Sequence, residues 1–134
     1  MSTLINNTEK FAAPAGRLLL ALIFFMSGLT KITQFEGTQG YMEMMGVPGA
    51  LLPLVIITEV VFGLAVILGF KTRLAAFALA GFSILSAIIF HADFSNQAEM
   101  TNFMKNFAIA GGFLMIVANG AGSFALDNRN KANA

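Results

Sequence analysis

Four long apolar runs dominate the chain, and most of the polar residues lie between them. The runs extend over residues 13–32, 51–70, 74–90 and 103–118. A helix of about 20 apolar residues crosses the ~30 Å hydrocarbon layer of a bilayer. Strands are not expected, because the runs show no alternation of polar and apolar residues and four strands would not close a transmembrane barrel. The pattern therefore predicts an all-α fold, an integral membrane four-helix bundle.

The composition and the polar chain ends complete this picture. Hydrophobic residues make up 57% of the sequence and charged residues 11%, which is more apolar and less charged than a soluble domain. Polar tails are expected at about residues 1–10 and 127–134, so a single transmembrane domain occupies residues 1–134. We expect the lipid bilayer to surround most of this domain.

The residue inventory narrows the chemistry. The chain contains no cysteine and one histidine, which excludes disulfides, thiol relays, iron–sulfur ligation and bis-histidine haem by this chain alone. Its eight basic residues are dispersed, so nucleic-acid binding is not expected. We expect no metal and no covalent cofactor, and any redox chemistry must belong to a bound small molecule or to a partner protein.

The basic residues between the runs predict the orientation in the membrane. Three pairs would share one face of a bundle with four crossings: Lys10 with Arg17, Lys71 with Arg73, and Arg129 with Lys131. The positive-inside rule makes that face cytoplasmic. Both chain termini are therefore predicted to be cytoplasmic, and in a bacterial inner membrane the two longer loops would be periplasmic.

The first of these outer loops is predicted to contain a short interfacial helix. Residues 39–45 would place Tyr41, Met42 and Met45 on one helical face, with Gly46 and Pro48 ending the segment. Two interpretations remain open. Tyr41 can simply anchor the loop at the level of the lipid headgroups, or the methionine-rich face can form a lid over a pocket.

A glutamate in the middle of the second run is the main indication of a site. A carboxylate in lipid costs a few kcal/mol even on insertion scales, so Glu59 needs a partner or a purpose. It is expected about 12 Å below the outer end of its helix, at 1.5 Å per residue. Lys31, His91, Lys105 and Asn106 reach the outer half of the bundle from the other three helices. These five residues are the candidate ligand-binding set, with Lys31 or Lys105 paired to Glu59.

Such a set fits two roles. The polar groups could bind the oxygens of a quinone-like headgroup while aromatic and methionine side chains hold its apolar body, and a proton path along Glu59 and His91 is equally compatible. Alternatively, Glu59 and a lysine form a polar knot that fixes helix packing, and His91 is simply solvated at a helix end. Arg17 lies on the opposite side, where it is expected to reach lipid phosphates or to cap a neighbouring helix.

Small residues at four-residue spacing favour close helix packing in lipid. The pairs are Ala76 with Ala80, Ser83 with Ala87, and Ala108 with Gly112. They support a tight bundle or a homo-oligomer without choosing between them.

A series of short motifs in a fixed order covers nearly the whole chain. They are RLLL at 17–20, SGLTK at 27–31, GYM at 40–42, MGVP at 45–48, Glu59 followed by Gly63, LGFKTR at 68–73 and GAGSFALD at 120–127. In their order and spacing they resemble the DoxX family of small four-helix membrane proteins. Arg17, Lys31 and Glu59 are the polar residues that the resemblance marks as typical of the family.

The resemblance also implies a function. The family takes its name from a quinol-oxidase-associated subunit, and its members look like membrane subunits of thiosulfate:quinone oxidoreductases or of complexes that handle thiol or oxidative stress. The expected role is a subunit of, or accessory to, a quinone-linked membrane oxidoreductase, with a bound quinone or lipid and redox-partner proteins. Such a subunit would not be a complete enzyme alone.

Two other function classes remain. A non-enzymatic membrane adaptor or chaperone would bind a protein partner through the periplasmic loop at residues 41–45. A small proton-coupled transporter would use Glu59 as its titrating group, although the chain shows no internal repeat of the kind that builds alternating access.

Overall fold

Six helices follow one another along residues 2–132, the part of the chain that the computed structural model describes, and no strand occurs there. They are α1 (Ser2–Thr33), α2 (Phe35–Met44), α3 (Gly49–Leu68), α4 (Thr72–Phe90), α5 (Gln97–Asn119) and α6 (Leu126–Ala132). Among the described residues, α1, α3, α4 and α5 are long and apolar enough to cross a membrane. The predicted all-α membrane bundle is confirmed. The short helix of the first loop is present as α2.

The two ends of the bundle differ in what covers them. One end carries α2 and the connection from α4 to α5, and we call it the α2 end. The other carries the turn between α3 and α4 together with α6, and we call it the α6 end.

Both predicted polar tails are helical over their described parts. Helix α1 already begins at Ser2, and residues 127–132 lie within α6, while residues 1, 133 and 134 lie outside the described part of the chain. The α1 extension contacts the segment that follows α5. The Ser123 hydroxyl donates to the carbonyl oxygen of Lys10, and the rings of Phe11 and Phe124 stack with centroids 5.7 Å apart. These contacts give the polar stretch a packing partner that the hydropathy pattern does not show.

The core lies between the four spanning helices, where α4 packs against α5 and α1 packs against α3. Its buried members are mostly small, with a few large side chains between them: Ala21, Phe24, Val66, Ala75, Ala76, Leu79, Ala80, Ala110 and Phe113. The small-residue pairs predicted on α4 are all buried, whereas Ala108 on α5 is exposed. Small side chains let the helix backbones approach closely, which supplies the packing contacts that hold helices together in lipid.

The turn between α3 and α4 is fastened to the C-terminal segment. Gly69 has a φ of 72° and Lys71 a φ of 44°, both in the left-handed region. The Asp127 carboxylate accepts hydrogen bonds from the Lys71 and Thr72 backbone N–H groups, at 2.6 and 2.9 Å, and from the Thr72 hydroxyl at 2.6 Å. An acceptor at this position satisfies N–H groups at the start of α4 that have no partner within the helix.

Helix α3 is not regular throughout. A short 3₁₀ turn, Gly49–Leu51, opens it, and a π-helical segment, Thr58–Phe62, separates two α-helical parts. Single π-turns inside α-helices are rare and occur frequently at functional sites. This one contains Glu59, which connects the irregular backbone to the residue that the sequence singles out.

Helices α1 and α3 touch most closely beside this π-segment. A Cβ added to Gly28 would lie 2.5 Å from Val60 Cγ2 and 3.2 Å from Glu59 Cβ, and one added to Gly63 would lie 3.1 Å from the Phe25 backbone nitrogen. A side chain at either position would require the neighbouring atoms to shift. The contact places the last turns of α1 directly against Glu59.

Replacing Gly28 with alanine is expected to lower the stability of the bundle by about 1–3 kcal/mol, the usual cost of overpacking. The added methyl group must push α1 away from Val60. Unfolding in mixed detergent micelles, followed by circular dichroism, measures the loss. Gly111→Ala is the matched control, because a Cβ at Gly111 meets nothing within 4 Å. Equal stabilities of the two variants would contradict the close contact.

Candidate functional site

A cavity of about 510 Å³ opens between the spanning helices at the α2 end. Its wall takes residues from α1, α2, α3, α4 and α5. Most of the wall is apolar, and the polar side chains on it are Ser27, Lys31, Thr38, Tyr41, Thr58, Glu59, Ser83, Ser86, His91 and Asn106. A cavity of this size and character suits a small organic ligand, for which a mostly apolar wall with a few placed polar groups is typical.

An ion pair joins α1 to α3 on this wall. Lys31 Nζ lies 2.6 Å from Glu59 Oε1, and the Glu59 side chain is only 4% exposed against 28% for Lys31. A cation in direct contact lowers the free-energy cost of burying an ionised carboxylate. The lysine stem thus reaches from the more open end of the bundle to the carboxylate inside it.

A second polar pair lies at the end of α4. His91 immediately follows that helix, and its Nδ1 lies 2.7 Å from Oε2 of Glu99 in the first turn of α5. Asn96 caps α5, because its side-chain oxygen accepts from the backbone N–H groups of Ala98 and Glu99. The cap fixes the backbone that carries Glu99. His91 lines the cavity, whereas Glu99 does not.

Of the predicted site residues on α5, only one reaches the cavity. Asn106 lines the wall, whereas Lys105 is exposed and does not. Lys105 therefore does not reach this cavity, and Lys31 is the lysine that pairs with Glu59. Adjacent residues on a helix point about 100° apart, so Lys105 has the right depth but faces away.

Helix α2 covers the cavity with two of the three predicted lid residues. Tyr41 and Met42 line the wall, and Met42 is only 4% exposed. Met45 follows the end of α2, stays 38% exposed and does not line the cavity. The Tyr41 ring stacks on Phe90 of α4 with centroids 5.5 Å apart. Tyr41 is itself 45% exposed, so covering the cavity and lying at headgroup level are compatible for this side chain.

Part of the cavity wall belongs to the outer surface of the bundle. Leu54 of α3 and Leu85 of α4 both line the cavity, yet they are 61% and 56% exposed. Leu51 of α3 behaves in the same way, with 44% exposure. The cavity therefore reaches the surface between α3 and α4, where a membrane helix meets lipid.

Hydroxyl groups on the wall are the functional candidates that the sequence analysis omits. Ser27, Thr38, Thr58, Ser83 and Ser86 all line the cavity. Three of them donate their hydrogens to a backbone carbonyl of the preceding helical turn: Thr38 to Gln34 at 2.9 Å, and Thr58 to Leu54 and Ser83 to Leu79 at 2.8 Å each. Four of these residues, Ser27, Thr58, Ser83 and Ser86, are polar positions inside the apolar runs, and the sequence could have marked them as candidates for that reason.

Arg17 lies far from this cavity, at the α6 end. It is 2% exposed, and its guanidinium donates to the carbonyl oxygens of Ala121, Ser123 at 3.0 Å and Phe124 at 2.8 Å. These carbonyl groups belong to the non-helical segment between α5 and α6, so Arg17 fastens that segment to α1 and does not cap a helix. Arg17 is thus a structural residue of the opposite end.

Comparison with known proteins is consistent with this architecture. The model of the DoxX family matches residues 12–92. Inner membrane protein YqjF of Escherichia coli K12 is 47% identical over 92% of this chain and 95% of its own. Inner membrane protein YphA of the same organism is 36% identical over 84% of this chain and 86% of its own.

A more distant relative has a name that refers to oxidoreductase activity. The Bacillus subtilis 168 protein named "Putative oxidoreductase CatD" is 29% identical over 71% of this chain and 72% of its own. No solved structure matches the chain. The family match, the identity to YqjF over almost the full length and the four spanning helices together show that this multi-pass membrane protein belongs to the DoxX family.

Proposed function

We propose that this protein is a membrane subunit of, or an accessory to, a quinone-linked oxidoreductase system, and that it holds the quinone between its helices. The observation that carries the proposal is the cavity of about 510 Å³ at the α2 end. It joins an apolar wall to a small set of polar groups contributed by α1, α3, α5 and the end of α4.

The polar groups match the oxygens of a quinone headgroup. The Lys31 ammonium and the Asn106 amide can donate hydrogen bonds to carbonyl oxygens, and the Glu59 carboxylate can accept one from a hydroxyl. Phe24 and Phe82 line the same cavity and contact each other edge to face, with centroids 6.3 Å apart. Aromatic walls of this kind provide a large apolar area for a planar ring.

The opening between α3 and α4 supports a ligand that resides in the membrane. A quinone carries an apolar tail, and the exposed cavity-lining residues Leu54 and Leu85 offer that tail a path to the acyl chains. A soluble polar substrate would gain nothing from a lipid-facing opening. The name of the relative CatD also points to redox chemistry.

Electron transfer must involve another component. The chain has no cysteine and a single histidine, so it offers no ligand set for an iron–sulfur cluster or a bis-histidine haem. The quinone would therefore exchange electrons with a partner protein. By the positive-inside rule the α6 end, which carries Lys71 and Arg73, faces the cytoplasm and the cavity lies toward the periplasm.

Filling the cavity is expected to remove bound quinone. Ser86→Trp places a large ring in the wall of the cavity. Protein purified in mild detergent should then retain less than about a tenth of the wild-type amount of quinone. A tenfold loss of affinity corresponds to about 1.4 kcal/mol of binding free energy. Lipid extraction and chromatography measure quinone per protein. Ile88→Trp on the same helix is the control, because Ile88 is 54% exposed and does not line the cavity.

Two results would remove the proposal. Wild-type protein could yield no quinone on extraction, with quinone reduction unchanged in cells that lack the protein. Alternatively, Ser86→Trp could retain as much quinone as Ile88→Trp. The adaptor alternative predicts a different pattern. Ser86→Trp should leave binding of the protein partner unchanged, whereas substitutions of Met44, which is 76% exposed on α2, should abolish that binding.

A further inference from the structure

We propose that Glu99 is a positioning residue that fixes the His91 imidazole as a hydrogen-bond acceptor, so that the cavity prefers the hydroquinone form of its ligand over the quinone form. This inference rests on the proposed function, because it concerns the redox state of the molecule that the cavity holds. It concerns one pair of side chains at the α2 end, where His91 lines the cavity and Glu99, which does not line it, contacts His91 Nδ1.

The geometry of the pair decides which ring nitrogen carries the hydrogen. His91 Nδ1 and Glu99 Oε2 are 2.7 Å apart. An ionised carboxylate can only accept, so Nδ1 must be the donor. In the neutral ring the remaining nitrogen, Nε2, then has a lone pair and no hydrogen. Carboxylates that bind one imidazole nitrogen in this way set the tautomer and the ring orientation for the group on the other side.

The local backbone keeps this arrangement in place. The His91 N–H donates to the Ala87 carbonyl at 3.0 Å, which fixes the residue at the end of α4. Glu99 lies in the first turn of α5, and Asn96 binds its backbone N–H at 3.3 Å. The two side chains are only 25% and 30% exposed. Both partners are therefore anchored through main-chain contacts of their own helices.

An acceptor at this point distinguishes the two forms of a quinone. A hydroquinone oxygen carries a hydrogen that Nε2 can accept, whereas a quinone carbonyl has only lone pairs and would face another lone pair. Lys31 and Glu59 do not discriminate in this way, because an ammonium and a carboxylate together satisfy either form. The loss of one hydrogen bond lowers the affinity roughly tenfold.

The single histidine makes the proposal directly measurable. Because the chain contains only one, ¹⁵N-histidine labelling yields one imidazole in an NMR spectrum. We would record it in lipid nanodiscs under anaerobic conditions, without ligand and then with ubiquinol-1 or ubiquinone-1. The expected result is the Nδ1–H tautomer, a shift of the Nε2 resonance with ubiquinol-1, and binding of ubiquinol-1 about tenfold tighter than that of ubiquinone-1.

Variants separate positioning from folding. Glu99→Gln can donate as well as accept, so the tautomer should become mixed and the preference for ubiquinol-1 should disappear. Asp93→Asn is the matched control: Asp93 is an exposed acid in the same connection, and it binds Ser95 rather than His91. It should keep the wild-type tautomer and the wild-type preference.

The outcomes distinguish this inference from the proposed function. Binding of ubiquinol-1 and ubiquinone-1 with equal affinity, or an Nε2 resonance that ubiquinol-1 leaves unmoved, overturns the role of Glu99 and leaves the quinone cavity intact. If Glu99→Gln still prefers ubiquinol-1, the role of Glu99 is likewise overturned and the quinone cavity is unaffected. Failure of wild-type protein to bind either compound contradicts the proposed function itself.

Discussion

Replacing Lys31 with methionine is expected to destabilise the folded protein by about 3–5 kcal/mol, the range typical when one partner of a buried ion pair is removed. The variant leaves the Glu59 carboxylate 4% exposed and without the ammonium that lies 2.6 Å away. Protonation of the stranded carboxylate would recover part of this loss. Unfolding in mixed micelles at neutral pH, followed by circular dichroism, measures the free energy.

Two further variants make this result specific. Lys105→Met removes an exposed lysine from α5 that does not line the cavity, and it should change stability little. Lys31→Met combined with Glu59→Gln removes both charges and should recover most of the lost stability, because no unpaired ion remains. A double variant as unstable as Lys31→Met alone would contradict the pairing.

The same variants separate a packing role from a binding role. If the ion pair is a polar knot, quinone retention follows stability, and the recovered double variant binds as wild type does. If the pair contacts the ligand, the double variant folds normally but still lacks quinone. We expect the second result, because both side chains lie on the cavity wall.

Replacing Arg17 with methionine is expected to cost about 3 kcal/mol or more, since hydrogen bonds to charged groups are worth about 1.5–3 kcal/mol each and are not fully additive. The carbonyl oxygens of Ala121, Ser123 and Phe124 would lose their donor. The C-terminal segment should then loosen, which hydrogen exchange detects as lost protection of the amides near Asp127, whose N–H donates to Gly69.

The control for this change lies on the same end of the protein. Arg129→Met removes an exposed arginine from α6 and should leave exchange rates unchanged. Because Arg17 does not line the cavity, Arg17→Met protein that remains folded should retain its quinone. Unaltered protection near Asp127 in the Arg17 variant would contradict the role assigned to the guanidinium.

Hydropathy was sufficient for the architecture because lipid imposes a simple rule. Every backbone polar group in the hydrocarbon layer must be paired, so each long apolar run becomes a helix. The helical start of the chain was harder to foresee. The stretch before Ala13 is polar by composition, and its contacts with Ser123 and Phe124 come from the far end of the sequence.

The π-turn was also beyond sequence reasoning. No residue type marks the segment Thr58–Phe62, which lies against Gly28 of α1. Cross-helix contacts of this kind are tertiary and have no local signature.

Depth and direction explain which site residues were predictable. Counting residues gives the depth of a side chain, and Lys31, Glu59 and Asn106, which it predicted in the outer half of the bundle, all line one cavity. Direction depends on the rotation of each helix, which amphipathicity fixes poorly when all faces are apolar. For this reason the sequence could not show that Lys105 does not line the cavity, and it did not indicate that Glu99 contacts His91.

The most direct measurement is an experimental density map of the protein purified with its native lipids in nanodiscs. We predict a planar headgroup in the cavity within hydrogen-bond distance of Lys31 or His91, with an apolar tail that leaves between Leu54 and Leu85. A map in which this cavity holds only water or an acyl chain would contradict the account, as would a map in which Glu59 points away from it.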